Sequence, residues 1–153
     1  MFHLLIGLLI LALVVTLLLR LVVNPLSGSA AGGLTDQYAL TGCVRTTNCV
    51  SSQEATDSYG YIAPLETGQA DGSLDKAASV LKNAGPHHIV KQDERYLHAV
   101  FTTPLMGYRD DLELLVDADN PGQLQVRSSS RIGRNDFGKN RQRVEKLRQA
   151  LAQ

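Results

Sequence analysis

The chain is 153 residues long, with 15 Lys or Arg against 15 Asp or Glu, so its formal net charge is zero. That length fits one domain with additions, and the balanced charge predicts no nucleic-acid partner, since such proteins carry a basic excess. The balance is uneven, however. Residues 127–153 hold 8 basic and 2 acidic side chains, a surplus of +6, and residues 1–126 hold 7 and 13, a deficit of −6. A basic tail of this kind either neutralises the rest of one fold or attracts phosphate, anionic lipid or an acidic partner.

The first element is the run Leu4–Val23, apolar except for Thr16 and Arg20. About 20 such residues span a bilayer core as a helix, so residues 1–24 are expected to form a single-pass anchor, with Arg20 snorkelling to the headgroups. The competing expectation is a cleaved export signal, for which Ser29-Ala30-Ala31 offers a small-residue cleavage site. Against it, the run exceeds a signal peptide's apolar region and no Lys or Arg precedes it. The positive-inside rule gives little guidance, with only the amino terminus and His3 before the run and Arg20 and Arg45 after it. Cys43 and Cys49 say more. They bracket a short loop that a disulfide would close, which predicts an oxidising compartment. The expected placement is the inner (cytoplasmic) membrane, with the globular part in the periplasm or lumen; the alternative is a cleaved, exported soluble protein. The segment Leu40–Cys43 reads LTGC, like a lipoprotein signal, but lies too far beyond the apolar run to act as one.

Residues 25–41, rich in Pro, Gly, Ser and Ala, read as a flexible linker, and residues 42–153 as the globular domain. Tyr59–Glu66 predicts a short strand, confined to an edge by Pro64. Asp71–Gly85 predicts a helix with Ser73 as N-cap, Gly85 as C-cap and the stripe Leu74, Ala77, Ala78, Leu81. Two hairpins follow. His87–Gln92 and Arg95–Thr103 turn at Asp93-Glu94; Asp111–Asp117 and Gln123–Ser130 turn across Ala118–Gly122. In the second hairpin, Leu112, Leu114 and Val116 share a face with Leu124, Val126 and Ser128 only if the loop is odd in length. The expected pairing then sets Asp111 opposite Arg131, Glu113 opposite Ser129 and Arg127 diagonal to Glu113, a ladder of opposite charges. The last helix is predicted over Phe137–Leu151, with Asn135 or Asp136 as N-cap and the stripe Phe137, Val144, Leu147, Leu151. The fold class is α+β: one antiparallel sheet of about 4–5 strands packed by two helices, in the order β-α-β-β-β-β-α, preceded by one transmembrane helix.

No phosphate loop, nucleophile elbow, zinc-protease motif or paired CxxC is present. Neither a metal nor a cofactor is expected, since only one of the adjacent His87 and His88 shares a strand face with any other ligand. Ser128–Ser130 lack a base at a defined spacing. The densest feature is charge complementarity. Asp110, Asp111 and Glu113 lie on one strand, and Arg127, Ser128, Ser130 and Arg131 on or just beyond the next, followed by Asp136, Asn140 and Arg141. Arg–carboxylate pairs are directional. These ten residues form the candidate polar cluster. They read either as ion pairs that fix register and dock the final helix or as an anion or partner pocket.

Three stretches, TNCVSS (47–52), YLHAVFTTPLMGYRDDLELLVD (96–117) and QVRSSSRIGRNDFGKNRQRVEKLR (125–148), resemble in order and spacing the domain of unknown function family 1499, over roughly residues 42–150. The hallmark of the family, DD-x-E followed by R-S-x-S-R-x-G-x-x-D-x-G-x-N-R, falls on Asp110, Asp111, Glu113, Arg127, Ser128, Ser130, Arg131, Gly133, Asp136, Gly138, Asn140 and Arg141. The resemblance implies a bacterial or plastid protein behind an export or membrane segment, and implies no activity. The expected function is therefore a membrane-anchored extracytoplasmic module that binds an envelope or membrane-complex protein. The alternatives are an anionic lipid or phosphate binder using the basic last helix, and a hydrolase or lyase using Asp111 or Glu113 with Arg127 and Arg131.

Overall fold

A computed structural model describes every residue except Met1, Ser29 and Ala31. Two of the three positions of the cleavage-type motif Ser29-Ala30-Ala31 thus lie outside the described residues. Helix α1 (Phe2–Leu26) contains a 22-residue apolar stretch, Phe2–Val23, that is long and apolar enough to cross a membrane, as an anchor or a signal sequence does. Its apolar side chains are mostly exposed until its last turns, where Val23 is buried, as is Ser27 just beyond the helix. Arg20 meets protein: its guanidinium donates to the carbonyls of Leu105 (2.9 Å) and Pro104.

The domain is α+β. Strands β1 (Cys49–Ser51), β2 (Leu65–Glu66), β3 (His87–Gln92), β4 (Tyr96–Thr102), β5 (Arg109–Val116) and β6 (Gln123–Ser130) form one antiparallel sheet. The order is β1-β6-β5-β4-β3, with β2 paired to the same edge of β6 as β1. Helices α2 (Ser73–Leu81) and α3 (Lys139–Leu151) cover one face. Leu97, Ala99, Leu112, Leu114, Leu124 and Val126 from the sheet are sealed there against Leu74, Ala77 and Leu81 of α2 and Val144, Leu147 and Leu151 of α3. Burial of this apolar surface is the main stabilising term.

Strand parity holds as expected, but the pairing within it differs. The five-residue loop 118–122 closes with the Asp117 N–H donating to Gln123 (3.0 Å). Pairing from that loop sets Val116 opposite Leu124, Glu113 opposite Arg127 and Asp111 opposite Ser129. Each partner lies two residues nearer the loop than expected, because side-chain alternation fixes only odd against even. The strand β1 is an addition. Its three residues are too short for periodicity to reveal, and Cys49 at its start is disulfide-bonded to Cys43.

Neither helix starts where predicted: α2 starts one residue earlier and α3 two residues later. Gly72 takes the N-cap position of α2 in a left-handed conformation, leaving Ser73 inside the helix, and Lys82 is the C-cap instead of Gly85. Phe137 is not part of α3: it has φ +54° and is 90% exposed, so the buried stripe starts at Asn140 and continues with Val144, Leu147 and Leu151. Gly138 follows with φ +76° as the N-cap, a conformation that glycine adopts without a Cβ penalty. Asp136 still serves the helix start, accepting from the N–H groups of Gly138 (3.0 Å) and Asn140 (2.7 Å).

Part of the stretch expected to be a flexible linker is folded. Leu34 and Leu40 form a bridge around a turn, and Leu40 packs with Tyr96, Leu115 and the half-buried Leu34 on the sheet face opposite the helices. Tyr38 donates to Asp93 (3.3 Å) in the β3–β4 turn. The compositional signal misleads because small residues also suit a chain that must lie close against another surface.

Candidate functional site

Alternation along β5 and β6 divides the ten candidate residues between the two faces of the sheet. Asp111, Glu113, Arg127 and Arg131 point away from the helices. Asp110, Ser128 and Ser130 point towards α3, where the two serines meet Asn140 and Asp110 meets Arg143. The cluster is therefore two networks, separated by the sheet.

On the face away from the helices, Arg127 donates through Nη1 to Glu113 Oε2 (2.6 Å), and the Tyr96 hydroxyl donates to Glu113 Oε1 (2.7 Å). Arg127 and Glu113 are 0% and 1% exposed, so this is a fully buried ion pair. Burial, reinforced by the bond to Glu113, pushes the Tyr96 hydroxyl far above its ordinary pKa, so it stays a donor. Residue 32 lies directly over the pair. A Cβ at Gly32 would collide with the Arg127 guanidinium and sit 2.8 Å from Glu113 Oε2. Glycine is required there by close approach, and Gly32 covers the pair like a lid.

Beside it, Asp111 receives His98 Nε2 (2.7 Å) at Oδ1, together with Arg131 Nη2 (2.8 Å), while Arg131 Nε reaches Oδ2 (3.0 Å). Burial pushes the Asp111 carboxyl up, but the hydrogen bonds from His98 and Arg131 outweigh it and hold the group below the usual carboxylate range. The other terminal nitrogen of Arg131, Nη1, donates to the carbonyls of Ser27 (3.1 Å) and Gly28 (2.8 Å), just past the end of α1. One guanidinium thus ties the sheet to the exit of the apolar helix.

On the helix face, Asp110 pairs with Arg143 Nη2 (2.6 Å). Arg143 Nη1 donates to Asn140 Oδ1 (2.6 Å) and Ser128 Oγ (3.0 Å), and Ser128 donates to Asn140 Oδ1 (2.7 Å). The Asn140 amide donates to the Asn48 carbonyl, Ser130 Oγ and Asp136 Oδ2 at 2.8–3.0 Å. Asn140 is fully buried, so β1, β6, α3 and the Asp136 cap meet at one satisfied side chain. Arg141 leaves this group: it donates to the Tyr59 carbonyl (2.6 Å) and does not pair with Asp136.

Arg143, Tyr96, His98 and Asn48 belong to these networks, although charge spacing in β5 and β6 does not reveal them. Parity offers a signal for the first three. His98 and Tyr96 share the face of Asp111 and Glu113, and Arg143 lies one helical turn from Asn140.

Chemically, the arrangement favours fixing structure over turnover. Each of Asp110, Asp111 and Glu113 is engaged by an arginine. Ser128 accepts from Arg143 and donates to Asn140, whereas His98, a potential base, is on the other face. Among the described residues no group of three or more His, Cys, Asp or Glu is placed to hold a metal. Asp136 and Arg141 line only a niche of about 10 Å³, room for at most one water. A cavity of ligand size, about 370 Å³, lies between α2 and α3 and is lined by none of the ten residues.

No curated protein and no solved structure matches the chain. The model of one family, described as protein of unknown function (DUF1499), matches residues 39–151, and the chain belongs to that family.

Proposed function

We propose that the chain is a single-pass envelope protein whose extracytoplasmic domain is clamped to its own membrane helix and works by binding and assembly, not by turnover. The observation that carries this reading is the guanidinium of Arg131, which holds Asp111 of the sheet and the Ser27 and Gly28 carbonyls together. Cleavage after residue 31 would remove those carbonyls and the buried Val23 from the domain, which supports a retained anchor. The disulfide between Cys43 and Cys49 fits an oxidising compartment outside the cytoplasm. The internal pairing of the three carboxylates weighs against general acid–base chemistry, which needs a group that exchanges protons near neutral pH.

In this reading the domain is a rigid platform at a fixed height above the inner membrane, and its partner is another envelope or membrane-complex protein. Two measurements test it. A protease added outside the cytoplasmic membrane should reach residues 42–153 without lysis. Cross-linking in native membranes should recover a second membrane protein in constant proportion. Recovery of this chain alone, or protection of the domain until lysis, contradicts the reading.

A further inference from the structure

The cavity between α2 and α3 has an uneven lining. Its floor is apolar, built from Phe101 at the end of β4, Leu147 and Ala150 of α3 and Val80 of α2. Lys139 and Lys146 stand exposed at its rim, with Arg143 between them, and no acidic side chain lines it. Asp110 neutralises Arg143, which also sits over the Phe101 ring with its Cζ 4.5 Å from the centroid. The two lysines are left as the uncompensated charge of the groove.

Two further observations say what suits it. First, the opening turn of α3 carries no acidic residue and begins with Lys139. The Asp136 carboxylate just before it is taken up by the Gly138 and Asn140 N–H groups and does not line the groove, so the charge that Lys139 brings to the groove suits an anion from outside. The last turn of α2 does not counter this, because the carbonyls of Ser79, Val80 and Leu81 are occupied by the N–H groups of Lys82, Asn83 and Ala84. Second, the groove lies at the end of the sheet nearest α1. Phe101 pairs with His87 and Asp110, and the β4–β5 loop that follows it supplies the Pro104 and Leu105 carbonyls held by Arg20. That loop also exposes Leu105 and Tyr108, residue types suited to a membrane interface.

We infer that this groove binds an anionic phospholipid of the bilayer that α1 crosses, with one acyl chain on the Phe101–Leu147 floor and the phosphate between Lys139 and Lys146. A volume of about 370 Å³ is at the small end for ligand sites and holds part of one chain. The inference rests on the membrane placement proposed above.

The test uses the full chain in non-ionic detergent, exchanged against mixed phosphatidylglycerol and phosphatidylcholine, with retained lipids counted by native mass spectrometry. The wild type retains phosphatidylglycerol over phosphatidylcholine by about tenfold, as two lysines near an anionic headgroup warrant. Lys139→Gln with Lys146→Gln abolishes the preference, and Ala150→Trp, which fills the floor, abolishes the retention with an unchanged circular dichroism spectrum. Equal retention of the two lipids, wild-type retention by Ala150→Trp, or displacement of the lipid by inorganic phosphate alone overturns the inference. The chain mass in the same spectra reports whether α1 is present, so a failed anchor and a failed groove give different results.

Discussion

Arg131 and Ser27 lie 104 positions apart in sequence, yet the guanidinium of one donates to the carbonyl of the other at 3.1 Å. The same arginine holds Asp111 through two other nitrogens. This bond joins the far end of β6 to the chain leaving the apolar helix. It turns a stretch with the composition of a tether into a docked segment.

The buried pair beneath that segment makes the first prediction. Arg127→Ala leaves Glu113 buried without its arginine, though still bonded by the Tyr96 hydroxyl, which should cost about 3–5 kcal/mol of stability. Replacing both partners, Arg127→Met with Glu113→Leu, should cost less than the single change. Chemical denaturation of the three proteins checks this. A single-mutant loss under about 0.5 kcal/mol, the range of ordinary surface substitutions, would mean the arginine is not holding a buried carboxylate.

Gly32→Ala places a methyl group where the Arg127 guanidinium sits. The lid must lift or the pair must move, at about 1–3 kcal/mol for an overpacked site. The expected readout is faster proteolysis between residues 28 and 40 with the sheet intact. Unchanged proteolysis and stability would show that the chain does not rest on the pair.

The lowered pKa of Asp111 predicts a direction with pH. Its folded-state value lies below the unfolded one, so its stabilisation is complete above about pH 4 and is lost as pH falls through the folded value. The stability gap between wild type and Asp111→Asn should therefore be widest near neutrality and close in acid. A gap that widens as pH falls would reverse the sign and contradict the pairing with Arg131 and His98.

The disulfide spans a sequence separation of 6. Loop-closure entropy for so short a ring amounts to about 2 kcal/mol. Cys43→Ser with Cys49→Ser should lower stability by about that amount, most visibly at β1, whose first residue is Cys49. Loss of protection at the Cys49–Ser51 amides in hydrogen exchange, before loss at β5, is the expected pattern.

Much of the architecture was legible because alternation is a strong signal. Leu112, Leu114 and Val116 against Leu124 and Val126 place the core face, and the same parity sends Asp111 and Glu113 to the other side. Exact pairing was less legible: loop parity admits several registers, and the one adopted puts Arg127 opposite Glu113. Phe137 misleads because an aromatic beside a helix start looks like its first apolar residue, while its backbone conformation removes it from the helix. The Gly- and Ser-rich composition of residues 25–41 misleads for a related reason. Gly32 supplies closeness to Arg127 where composition suggests freedom. Asn140 and Arg143 form a network only once α3 packs on β6, and no local pattern announces that contact.

The attachment of the domain to the exit of the apolar helix α1 is open to a direct test by distance. Spin labels at Leu26→Cys and Glu94→Cys, both exposed positions, can be measured by double electron–electron resonance in lipid nanodiscs. The clamp predicts one narrow distance distribution in the wild type that broadens in Arg131→Gln. A broad distribution in the wild type, unchanged by Arg131→Gln, would describe a flexible tether and contradict the account.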